Sequence, residues 1–225
     1  MEDRNARLGA LGGIVSVVTL FVGFGLVAAN APKFDESAQA WSAFFNDHAT
    51  RIQIGVMIVG VGVFFFLWFL GSLRSAIAAA EGGTGRLASI AFGGGLVGSA
   101  ILMVTLTATA TAAFRPDQID PNLTRALNDF GAMTAGPAAG ALTALFAATA
   151  IAGYRHRFVP AWVAGFSALA AITQPLALGV VFCTSGAFAA DGVLGFIVPV
   201  LTFAIAILTA SWALSRAPRA QAPSG

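Results

Sequence analysis

His48 is one of two histidines in the chain, and it stands beside Asp47 and three residues before Arg51. An imidazole that titrates near neutrality can act as a general base, a neighbouring carboxylate can orient it, and a guanidinium can hold an anionic group. That trio defines one reading, an integral membrane enzyme acting on a lipid or periplasmic substrate. No nucleophile or metal completes the set. A second group points to binding. Gln53 and Gln174 are carboxamides within otherwise apolar stretches, Thr173 adjoins Gln174, and Asp129 and Asp191 stand at the edges of later stretches. Pro137, Pro175 and Pro199 lie close by in sequence, and each removes a backbone donor and frees a carbonyl that needs another partner. With Asp47, His48 and Arg51 on the rim, these residues outline an expected outward-facing pocket for a small neutral or amphipathic molecule.

Other chemistries are excluded by residue type. Cys183 is the single cysteine, so no internal disulfide or multi-thiolate metal site forms. Lys33 is the single lysine and falls between apolar stretches, which removes a retinal Schiff base within a bundle. His48 and His156 belong to opposite ends of their stretches, against paired-histidine haem ligation or a His-rich metal site. Basic residues come singly or in pairs without interleaved aromatics, which argues against nucleic acid. No Gly-rich strand-to-helix loop offers a nucleotide cradle. No ionisable group stands in the middle of any apolar stretch, against a proton pump or electrogenic carrier. The sequence therefore calls for no cofactor and no metal, and favours binding or passage over catalysis. Asn122-Leu123-Thr124 is a glycosylation sequon that matters only in a glycosylating host.

The elements that must position these residues follow from composition. Hydrophobic residues make up 57% of the chain and charged residues only 10%, against about a quarter charged in globular proteins. Mean hydropathy is +0.83. Uncharged stretches predict spans over about 8–30, 52–73, 87–113, 130–153, 159–182 and 192–214, with a disordered tail over 216–225. Each span reaches the roughly 20 residues that cross a hydrocarbon core of about 30 Å. The expected fold is an all-α, polytopic membrane helical bundle forming one transmembrane domain, its six helices arranged as three hairpins. Residues 183–190 read as a loop. An N-in, C-in orientation assigns eight basic residues to the cytoplasmic flanks and four, Lys33, Arg51, Arg115 and Arg125, to the other side. The first apolar run is longer than the 7–15 residues of a signal peptide, so it reads as a retained span despite the small residues at 28–31.

Finer features give further expectations. A shift of 82 residues aligns Gly12-Gly13 with Gly94-Gly95, Asp35 with Asp117 and Asn46-Asp47 with Asn128-Asp129, and a shift of 62 aligns Asp129 with Asp191. These matches suggest an internal repeat in which Asp47, Asp129 and Asp191 each cap a helix. Gly136, Gly140, Ala144 and Ala148 form a ridge suited to close helix packing, as do Gly93-Gly94-Gly95 and Gly98. Thr105, Thr107, Thr109 and Thr111 can bond carbonyls one turn back. The aromatic run Phe64–Phe69 suggests a peripheral, lipid-facing second helix. Trp41, Phe44, Phe45 and His48 share a helical face over Ser37–His48, as in a short amphipathic helix in the outer interface.

Arg7, Gly9, Gly12 and Gly13, then Pro32 and Asp35, the aromatic stretch, and Arg51 with Gly55 resemble a family of bacterial six-helix membrane proteins known as a domain of unknown function. The likeness covers mostly the first half of the chain. It implies topology and a bacterial origin, to which eleven arginines against one lysine also point, and it carries no activity. The expected partners are the lipid bilayer of the inner (plasma) membrane and a small-molecule ligand. A second copy of the chain or a membrane partner subunit is the expectation of the third reading, an accessory subunit.

Overall fold

A computed structural model describes the backbone of residues 2–216 and the side chains of 8–216. Residues 217–225 of the tail expected over 216–225, and the side chains of Arg4, Arg7 and Arg219, lie outside the described residues. Six helices among those described are long and apolar enough to cross a membrane. The elements are α1 (Glu2–Ala28), α2 (Ala38–Glu81), α3 (Arg86–Phe114), α4 (Pro121–Met133), α5 (Ala135–His156), α6 (Ala161–Thr173) and α7 (Val198–Arg216). A single 3-10 turn covers Pro116–Gln118, a longer 3-10 segment covers Gln174–Val181, and a wide π-turn covers Val193–Ile197. Each span packs on the next, and α7 returns to pack on α1, closing a ring. Loops 29–37, 115–120 and 182–192 share the distal end of the ring, and Glu2 and Arg216 stand at the proximal end.

Helices in lipid gain little from burying leucine, so close approach of small residues decides which faces meet. At Gly23 and Gly55 the backbones of α1 and α2 touch: a Cβ added to either would lie 2.7 Å from the other's carbonyl oxygen. Gly94 seats α3 equally tightly on α5, where a Cβ would stand 2.4 Å from the Ala141 oxygen. The expected Gly136–Ala148 ridge is only partly used, because Gly140 is exposed and nothing approaches it. Nor is α2 peripheral. Phe66 and Phe69 are buried in the main core while Phe64 and Trp68 face outward, so the aromatic run is divided between protein and lipid.

The separate interfacial helix expected over 37–48 is absent. Ser37 caps α2, accepting from Ala40 N at 3.2 Å, and the helix then runs 44 residues without a break. No proline or glycine lies between Ser37 and Ile54 to stop it. At 1.5 Å per residue it is about 66 Å long, twice the hydrocarbon thickness, so it projects beyond the membrane. The aromatic face does exist, but Trp41, Phe44 and Phe45 bury it against Ile52, Ala112 and Ala113.

The fourth, fifth and sixth spans are interrupted in their distal halves. Pro137 stands one turn beyond a break at Thr134 that divides α4 from α5. Pro175 is the second residue of the 3-10 segment that extends α6, and Pro199 follows the π-turn that leads into α7. A missing N–H and a ring that clashes with the preceding turn account for all three. Loop 186–192 sits inside the π-turn: Leu194 N and Gly195 N both donate to the Ala187 carbonyl, at 2.7 and 3.0 Å.

None of the three aspartates caps a helix. Asp120 caps α4 instead, accepting from Asn122 N at 2.8 Å with Pro121 in the first turn, nine residues before the expected start. Asp129 is then mid-helix and pairs with Arg125 at 2.9 Å. Asp47 lies inside α2, and Asp191 precedes the π-turn and accepts from Phe34 N at 3.1 Å. At the proximal end, beyond the membrane, Gly82 takes the left-handed conformation (φ 61°) that ends α2, and Glu81 accepts from Leu87 N and Ala88 N at 2.9 Å. Those amides, Ala88's first, hold the Glu81 carboxyl below its usual range. Arg216, expected in the tail, is the last residue of α7.

Candidate ligand cavity

The ring is solid at one end and hollow at the other. Leu70, Leu73 and Ile77 of α2 meet Leu145 and Ala152 of α5, Val163 and Ala164 of α6, and Ile207 and Ala210 of α7 in a continuous proximal core. The distal half encloses a cavity of about 620 Å³, within the range of roughly 300–1,000 Å³ usual for small-molecule sites. Its walls come from α1 (Phe21, Phe24, Gly25), from α3 (Ser99, Thr105, Thr109), from Thr134 and Ala138 around the α4–α5 break, and from the two irregular segments (Gln174, Ala177, Phe196). Phe34, Asn128 and Ala190 line its distal end. No Asp, Glu, Lys, Arg or His lines it among the described residues.

Gln174 is the most buried polar group in this wall, 3% exposed. Its Nε2 donates to the Pro199 carbonyl at 2.9 Å. A carbonyl can only accept, so the amide nitrogen must face Pro199 and the oxygen faces the other way. Pro175 sets this up by tightening the chain directly after Gln174, while Pro199 supplies the carbonyl. Thr173 is turned away from the cavity and joins its hydroxyl to that of Thr202 at 2.7 Å, tying α6 to α7.

A ladder of polar bonds holds the distal end over the cavity. Asp129 anchors Arg125, whose guanidinium donates to the Phe34 and Glu36 carbonyls and covers the Phe34 ring. Asp191 binds the Phe34 amide from the opposite side. Asp129 and Asp191 therefore fix the lid residue Phe34 without lining the cavity themselves. Gln53 is exposed on α2 and donates to the Ala113 carbonyl at 2.9 Å, satisfying the end of α3. Of the five expected binding residues, Gln174 alone lines the cavity.

Asp47, His48 and Arg51 line a separate groove of about 470 Å³ with Leu26 and Ile54. His48 Nδ1 lies 3.0 Å from the Phe44 carbonyl, so Nδ1 carries the proton and Nε2 is the free nitrogen. Arg51 donates to the Ala29 carbonyl at the negative end of α1 and stacks over Phe44. No carboxylate orients His48 among the described residues, and one nitrogen of the Arg51 guanidinium is taken by the Ala29 carbonyl while its Nε is buried without a partner. No group of three or more His, Cys, Asp or Glu suited to a metal occurs there either.

Sequence reasoning missed Asn128, Thr134, Phe34 and the inward role of Thr105 and Thr109. The hydroxyls do return bonds to carbonyls as expected, Thr105 to Ile101 at 3.2 Å and Thr109 to Thr105 at 3.2 Å. The four-residue spacing of Thr105 and Thr109 was the available signal, because it places both on one face while Thr107 and Thr111 point outward.

Helices that can cross a membrane, closed into a ring around an uncharged cavity, define a multi-pass helical membrane protein with a candidate ligand site. No protein-family model, curated protein or solved structure matches the chain, so its function must be argued from this geometry.

Proposed function

We propose that the protein binds, or passes across part of the bilayer, a small neutral or amphipathic molecule held in the distal cavity. The observation that carries this reading is the convergence of all three proline-interrupted segments on one uncharged space. Non-helical backbone at membrane depth is tolerated where it lines a cavity, and discontinuous helices build many membrane binding sites. Phe21 and Gly25 of α1 and Phe196 across from them are exposed as well as cavity-lining, which supports entry from the side between α1 and the start of α7. The test is titration of a neutral solvatochromic dye into the protein in lipid nanodiscs. Saturable binding at one site per chain is expected; dye uptake no greater than by empty nanodiscs would remove the proposal.

The same reading places both chain ends in the cytoplasm and the distal lid on the outer face of the plasma membrane, supported by the eight-to-four distribution of basic residues. Reporter fusions after Thr84 and after Ser185 should report opposite sides, with Thr84 inside; the reverse result overturns the orientation. A catalytic role for His48 has less support, since its Nδ1 is held by a backbone carbonyl and its groove is separate from the cavity.

A further inference from the structure

We infer that the cavity selects a neutral amphiphile whose head group donates a hydrogen bond, a hydroxyl above all, and that the carboxamide oxygen of Gln174 receives it. The inference rests on the binding role proposed above and adds the chemistry of the ligand.

The reasoning starts from where the lining protons go. Ser99 donates to the Gly95 carbonyl at 2.8 Å, Thr109 to that of Thr105, and Thr134 to that of Gly131 at 2.6 Å. Thr105 has the Ile101 carbonyl and the Thr134 oxygen within reach. A hydroxyl has one proton, so each of these groups is left with lone pairs to offer and no proton. Gln174 is in the same condition: Nε2 is committed to Pro199, and Oε1 has no partner among the described residues. That oxygen is not sealed from the cavity either, since the buried side-chain atoms closed off without a partner are Ser16 Oγ, Trp41 Nε1, Arg51 Nε and Thr124 Oγ1. The prolines act in the same direction, because each deletes an N–H and leaves carbonyls in excess. Among the described lining side chains, Asn128 alone brings further donors, on the distal side, six residues before Thr134.

The deep wall is therefore rich in acceptors, poor in donors and without a cation. A carboxylate or phosphate entering it would lose hydration and find nothing to replace it. An ether or ester without an O–H or N–H would leave the buried Gln174 oxygen unpaired. An alcohol satisfies that oxygen while its chain fills the apolar remainder. Discrimination by an unsatisfied buried polar group is a stronger filter than apolar fit.

The test uses the full chain in nanodiscs with the neutral dye bound, and compares displacement by decanol, decyl methyl ether and decanoate, each expressed per lipid. Decanol should displace the dye at roughly fivefold lower concentration than the ether, the value of one net hydrogen bond, with decanoate the weakest. In Gln174→Leu the ratio of alcohol to ether displacement should fall to about one, whatever the variant's own affinity for the dye. The wild-type comparison requires no variant, so the inference remains testable if Gln174→Leu fails to fold. Equal displacement by alcohol and ether, or strongest displacement by decanoate, overturns the head-group assignment and leaves the cavity reading standing. Failure of the dye itself to bind overturns both.

Discussion

Arg125 carries more of the distal lid than any other side chain. It joins α4 to the 34–36 segment through two carbonyls and a ring face, and an ion pair within α4 holds it in place. Its removal leaves the Phe34 and Glu36 carbonyls to water or to nothing, whereas removal of Asp129 deletes only a half-exposed ion pair. Arg125→Ala should therefore destabilise the protein by about 1–3 kcal/mol, and Asp129→Asn by no more than about 1 kcal/mol, in denaturation from detergent. An equal loss in the two variants would show that the ion pair, and not the carbonyl contacts, matters. Residue chemistry was legible in the sequence where it depended on local context. Gln174 stands out because an amide beside a proline inside an apolar stretch must find a partner nearby. Asp191 was legible as polar punctuation only, because its partner, Phe34, is reached when the loops fold back over the bundle, whereas the Asp129–Arg125 pair is a local i,i+4 contact that becomes visible only once α4 is known to start at Pro121.

The elements were legible for a related reason. Charge-free length fixes a span, and proline fixes where a span is interrupted, since both effects are local. The start of α4 and the continuity of α2 were not, because polar residues such as Asn46–Arg51 and Asn122–Asp129 are as compatible with a helix outside the membrane as with a loop. The proposed repeat loses its anchors for the same reason: Asp47, Asp129 and Asp191 occupy a helix interior, an i,i+4 ion pair and a turn. Packing between elements adds a prediction about glycines. Gly94→Ala forces a Cβ onto the Ala141 oxygen and should destabilise the protein by about 1–3 kcal/mol. Gly140→Ala meets open space and should be neutral or stabilising by up to about 1 kcal/mol, the helix preference of alanine. Thermal denaturation of the two variants side by side decides it; equal effects would mean that the α3–α5 contact is looser than described.

At the scale of the whole molecule, the division between a solid proximal half and a hollow distal half is the feature from which function is argued. A bundle serving only as a membrane anchor has no need of three interrupted helices, and an ion-coupled carrier would place charge where this cavity has none. The ring also explains why no single motif revealed the site: the wall is assembled from residues at 21, 105, 134, 174 and 196, brought together only when α7 closes onto α1. Gly25 offers the sharpest probe of that space, because it lines the cavity and nothing lies within 4 Å of the position of an added Cβ. Gly25→Trp should therefore fill the cavity entrance and leave the packing of α1 on α2 intact. The decisive measurement is native mass spectrometry of wild type and Gly25→Trp released from nanodiscs loaded with a neutral amphiphile. One retained adduct per wild-type chain, lost in the variant, is the expected result; the same adduct on both proteins, or none on either, would contradict a ligand held in the distal cavity.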